Sequence, residues 1–156
     1  MSIKAQKLFN AFNKAGLGRA LVRVADATYG VPELDYITGP FAAWWKKKLA
    51  ERGLGKWTPQ FDCDDFAWTL YTDIRWAHYA TKKSNAEGIS VGVMYYMAGK
   101  RAEGGGGGGH AINVAYVEKA GKKKLVFLEP QFIASGRPPV LKLTPAEIKS
   151  CWFINF

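Results

Sequence analysis

"HAINVAYVEKAGKKKLVFLEPQ", residues 110–131, decides how the second half of the chain folds. Two runs rich in β-branched and aromatic residues flank Lys119–Ala120–Gly121–Lys122, where Gly121 tolerates the positive φ of a tight turn. A two- or four-residue loop centred on Ala120–Gly121 sets Ile112 opposite Glu129 and His110 opposite Gln131. Side chains two apart on a strand share a face, so His110, Glu129 and Gln131 then project together. A three- or five-residue loop reverses the parity and turns Glu129 away.

Outward from this hairpin, "ISVGVMYYM" (89–97) and "CWFINF" (151–156) have the same strand-like composition. "LTPAEIKS" reads as a short helix, with Thr144 as cap, Pro145 in the first position and Glu147 three residues after the cap. Upstream, "FDCDDFAWTLY" (61–71) opens a helix running from about residue 62 to 80. Its Cys63, Phe66, Ala67, Leu70, Ile74 and Ala77 recur at spacings of three and four and form one inward face. Proline early in "GPFAAWWKKKLAERG" and glycine at its end predict a helix over 40–52. Leu8, Phe9 and Phe12 predict another over 3–15, and "LVRVADATYG" (21–30) is β-prone, although Ala20 to Ala27 can equally extend a helix. Helices first and mostly adjacent strands afterwards predict an α+β fold in a single domain, 1–156. In it, N-terminal helices (1–56) precede a core (57–156) whose cysteine-bearing helix packs on an antiparallel β-sheet.

Composition narrows the function classes. The chain has 156 residues, 48% of them hydrophobic, enough for a sizeable core. The net charge of +9 includes lysine runs at 46–48, 82–83 and 122–124, which read as solvated helix ends and a hairpin turn or as a surface for an acidic partner. Trp44, Trp45 and Trp57 lie near basic residues, but no nucleic-acid module surrounds them, so nucleic acid is disfavoured as a partner. No apolar run approaches the roughly 18 residues a membrane span needs, and "MSIKAQKLFNAFNKAG" lacks the pattern of a signal peptide. Two cysteines make no disulfide framework, so both thiols are expected free in a reducing, cytoplasmic compartment. The glycine run at 104–109, just before His110, has no lysine and helix behind it to make a phosphate cradle, and reads as a loop at the edge of a site.

Cys63 at a helix start gains from the positive end of the helix dipole. His110 on a neighbouring strand can take its proton, and Glu129 or Gln131 can orient the imidazole. Backbone N–H groups at the helix start can stabilise an oxyanion. Asp62, Asp64 and Asp65 cap the helix well but oppose a thiolate. Asp62 is thus either a cap or, with Gln131, an orienting or oxyanion-binding group. His78 reads as a surface or packing histidine and Cys151 as core. Neither zinc nor calcium spacing is present, so no metal and no cofactor is expected.

"DCDDFA" before an apolar helix, a "GHA" strand and a strand ending in "LEPQ" together resemble the transglutaminase-like branch of the papain-like cysteine peptidase superfamily. The likeness is to bacterial transglutaminase-like cysteine peptidases and to small phage and bacterial proteins with a similar cysteine box, over residues 57–132. It implies a triad of Cys63, His110 and Glu129, with glutamate where the family more usually has aspartate. The implied function is a cysteine-dependent hydrolase or acyltransferase acting on amide bonds of a peptide or protein substrate. The alternative is an inactive binding or inhibitory module that keeps the papain-like fold.

Overall fold

The computed structural model describes residues 2–81, 87–99 and 107–156. The lysines at 82–83 and the first half of the glycine run lie outside the described residues.

The hairpin forms with a two-residue turn. Ala120 (φ 49°) and Gly121 (φ 74°) both take positive φ, as a turn matching the twist of its strands requires. It joins β6 (Gly108–Lys119) to β7 (Lys122–Leu128), with Lys119 opposite Lys122 and Asn113 opposite Leu128. On the other side of β6 lies β5 (Val91–Ala98), also antiparallel, with Tyr96 opposite His110. β2 (Leu21–Arg23), β8 (Val140–Leu141) and β9 (Phe153–Asn155) complete a six-stranded sheet in the order β2-β9-β5-β6-β7-β8. A second sheet holds β1 (Ser2–Lys4), β3 (Thr28–Gly30) and β4 (Gly88–Ile89).

Two features correct the expected architecture. The sheets are mixed rather than antiparallel: β2 runs parallel to β9, and β3 parallel to β4. The N-terminal part is not simply helical, since β1, β2 and β3 all come from it, alongside α1 (Ala5–Lys14), α2 (Leu34–Tyr36), a π-helical turn (Ile37–Phe41) around Pro40, and α3 (Ala42–Glu51). β2 satisfies its backbone groups by pairing with the C-terminal strand.

Strand alternation sends the two faces of the sheet to separate cores. Val91, Ala115, Val117 and Leu128 pack against Trp45 and Leu49 of α3 and against Phe66, Leu70 and Ile74 of α4 (Cys63–Thr81). Met94, Ile112 and Val114 pack against Leu8 and Phe12 of α1 and against Phe156. α3 and α4 are tied by Asp73, 5% exposed, whose carboxylate accepts from Trp45 Nε1 (3.2 Å) and Lys48 Nζ (2.5 Å). Full burial of each large apolar side chain contributes about 1.5–3 kcal/mol, so Phe66 and Leu70 hold the first turns of α4 firmly on the sheet. Beyond β7 the chain does not stay extended. Pro130 occupies the first position of α5 (Pro130–Ser135), for which its fixed φ suits it, and Glu129 becomes the N-cap. α6 (Pro145–Lys149) carries a full capping box between Thr144 and Glu147. Among the described residues no helix is long and apolar enough to cross a membrane.

Candidate functional site

Asp62 and Asp65 lock the start of α4. Asp62 Oδ1 accepts the Asp64 N–H (3.2 Å), while Asp65 Oδ2 accepts the Asp62 N–H (3.1 Å). This reciprocal capping satisfies donors that a helix start leaves open. It leaves half-buried Cys63 in the first turn. The Asp64 carboxyl is pushed up by its hydrogen bond to Asp62, then by burial and by the neighbouring acids.

His110 reaches the same place from near the start of β6. Its Nε2 lies 2.7 Å from Glu129 Oε2, and Glu129 is only 5% exposed. The other carboxylate oxygen, Oε1, accepts the Gln131 N–H at 3.2 Å. One buried glutamate therefore caps α5 and holds the imidazole. His110 also interacts with Cys63. Burial alone would lower the imidazole pKa, but the hydrogen bonds to Cys63 and Glu129 and the charges of both groups raise it to about 9. At neutral pH the imidazole is then a cation held between Glu129 and Cys63, equipped to hold or pass a proton. Tyr96 packs edge-on to it, with ring centres 5.8 Å apart.

The structure thus brings Cys63, His110 and Glu129 into one constellation. Gln131 does not sit opposite His110 in the ladder, because α5 starts before it, but its side chain borders the same cleft, as does Asp62. The cleft has a volume of about 830 Å³ and is also bordered by Trp57, Phe66, Tyr96, Phe132 and Arg137. The sequence reading did not find Tyr96, whose place depends on the β5–β6 register across the 99–107 connection. Nor did it find Phe132 and Arg137, which belong to a helix and its exit where a strand was expected. Arg137 stacks over Phe132 with its guanidinium 3.7 Å from the ring centre. Cys151 is buried away from this cleft, and burial raises its thiol to about 11. Asp62, Cys63 and Asp64 each present one ligand atom within 4.8 Å of one another, but the two carboxylates are engaged in capping and in bonding to each other.

Three comparisons set the chain among known proteins. Residues 40–134 match the family described as Agglutinin C-terminal. A search of curated proteins gives no match. Among solved structures, the PSL1a–E64 complex superposes with a TM-score of 0.67 at 21% identity, covering 99% of this chain and 50% of that one. The Polyporus squamosus lectin bound to the human-type influenza-binding epitope Neu5Aca2-6Galb1-4GlcNAc gives a TM-score of 0.64 at 19% identity, covering 99% and 49%. The chain spans about half the length of each, and the likeness is one of fold.

These findings correct the kinship read from the short boxes. "DCDDFA" and "GHA" lie inside the agglutinin match, so they do not place the chain in the transglutaminase-like branch, and the papain-like core expected on that ground gives way to the fold of a lectin structure. The cysteine-dependent hydrolase or acyltransferase, its peptide or protein substrate and the inactive papain-like module all rested on that kinship and are corrected with it. Boxes of three to six residues report a helix start or a strand end, features that unrelated families share. The chain belongs to the Agglutinin C-terminal family.

Proposed function

We propose that this domain binds carbohydrate in the cleft between the start of α4 and the β7–α5 connection. The observation that carries the reading is the lining of that cleft. Trp57, 56% exposed, lines it together with Asp62, Gln131 and Arg137, a set of donors and acceptors suited to sugar hydroxyls. An aromatic face takes the C–H side of a pyranose, and polar side chains fix its orientation. The glycan named with the Polyporus squamosus lectin supports the ligand class. A glycan microarray read with wild type and Trp57→Ala tests it: retained glycans whose signal falls at least tenfold in the variant support the cleft, and an empty array ends the proposal.

A second reading concerns the same cleft and is favoured by the Cys63–His110–Glu129 geometry. Here Cys63 is the nucleophile, His110 holds the proton as an imidazolium beside its sulfur, Glu129 orients His110, and Asp62 or Gln131 supplies a further polar contact. PSL1a is named in complex with E64, which makes E64 the natural probe. Intact mass after incubation with E64 tests this reading. Addition at Cys63 that His110→Ala suppresses supports it, and addition to neither cysteine removes it. Both thiols then call for a reducing, cytoplasmic compartment.

A further inference from the structure

On the β6 face that receives α4, the side chains of Ala111, Ala115 and Val117 are small or apolar and buried, yet Asn113 stands among them with 0% exposure. Its Nδ2 donates to the carbonyl of Ala67 on α4 (2.9 Å) and to that of Gly92 on β5 (3.2 Å). Its Oδ1 has no hydrogen-bond partner among the described residues. Burying an amide with half its capacity unmet is costly, and a leucine of similar size would fill the space without that cost. Packing therefore does not explain the asparagine.

Its position does. Ala67 lies one helical turn beyond Cys63, and Asn113 lies three residues along the strand from His110. Apolar contact between α4 and the sheet is non-directional and allows the helix to slide by fractions of an ångström. A hydrogen bond from a strand side chain to a helix carbonyl does not. Gly92 offers its carbonyl from β5, where Asn155 and Phe156 crowd the space that a side chain would need, so the anchor on the sheet is itself fixed. We infer that Asn113 is a positioning residue, setting the α4 helix against β6 so that the Cys63 thiol and the His110 imidazole meet. The inference rests on the second reading above, in which Cys63 is a nucleophile.

The test is Asn113→Leu, with Asn113→Ala as the smaller alternative should leucine prove too bulky to fold, each assayed in the full chain. Three quantities are read: the second-order rate of Cys63 alkylation by iodoacetamide at pH 7, the NMR titration midpoint of His110, and the thermal midpoint. We expect alkylation to slow at least tenfold and the His110 midpoint to fall by about one unit, with Asn113→Gln recovering part of both. A drop in thermal midpoint alone, with alkylation and the His110 titration unchanged, overturns the positioning role and leaves Asn113 purely structural. If wild-type Cys63 reacts no faster than a free cysteine, the nucleophile reading itself fails, and the inference with it.

Discussion

His110 Nε2 sits 2.7 Å from Glu129 Oε2, although one residue is on a strand and the other caps a helix, 19 positions apart in the chain. The bond exists because a two-residue turn fixes the hairpin register and because Pro130 ends the second strand just after Glu129. The buried carboxylate then has two donors to serve, the imidazole and the Gln131 N–H.

Removing the charge while keeping the shape isolates its electrostatic part. Glu129→Gln should lower the His110 midpoint from about 9 by one unit or more, equivalent to at least about 1.4 kcal/mol of differential stabilisation of the imidazolium. Proton NMR of the imidazole C–H signals across pH 5–10 reads this directly. An unchanged midpoint would show that Cys63 and the rest of the site hold the proton without Glu129.

The same shift makes stability depend on pH. The folded value of about 9 lies above the ordinary 6.5, so the folded chain binds this proton more tightly than the unfolded chain does. The resulting stabilisation is fully present below about pH 6.5 and is lost as pH rises through about 9, and its upper bound is on the order of 3–4 kcal/mol. Urea midpoints for wild type should fall between pH 6 and pH 9.5. The fall should be much smaller in His110→Ala, which distinguishes this group from others that titrate in the range.

The two cysteines should behave differently. Cys63 lines the cleft and contacts His110, whereas Cys151 is 5% exposed with its thiol pushed up by burial. Brief iodoacetamide treatment of the native chain followed by peptide mapping should find the label on Cys63, with Cys151 modified only after denaturation. Equal labelling of both would contradict the environments described.

Asp73 offers a prediction about stability alone. Asp73→Ala leaves the Trp45 indole N–H and the Lys48 ammonium without their acceptor between α3 and α4. Asp73 is buried but Lys48 keeps 25% of its side chain exposed, so the cost falls short of the roughly 3–5 kcal/mol of a fully buried pair. The loss should appear as a lower urea midpoint, and a change under about 1 kcal/mol would mean that water replaces the carboxylate readily.

Legibility followed the strength of the local signals. Gly121 after Ala120 marked the turn, and the register that follows carried Glu129 to His110. The three- and four-residue spacing from Cys63 to Ala77 marked α4, which runs Cys63–Thr81. Extending β7 through Gln131 failed because Pro130 was read as a strand residue when it opens a helix. The parallel pairing of β2 with β9 left no trace: each strand is three residues long, too short for a period of two to be read, and the apolar Leu21 is 59% exposed. Kinship was misread from boxes whose residues are demanded by a helix start and a strand, whoever the relatives are. Asn113 was passed over as one polar residue in an apolar strand, since its value lies in a contact across 46 positions.

Whether saccharide enters the cleft is the most direct question the fold poses. The measurement is a 1H–15N NMR titration of the full chain with glycans retained on the array, following the Trp57 indole N–H and the backbone signals of residues 62–64 and 129–132. Saturable shifts concentrated on these signals, and their loss in Trp57→Ala, are the expected result. Saturable shifts confined to surfaces away from the cleft, or none up to millimolar saccharide, would contradict saccharide binding in the cleft.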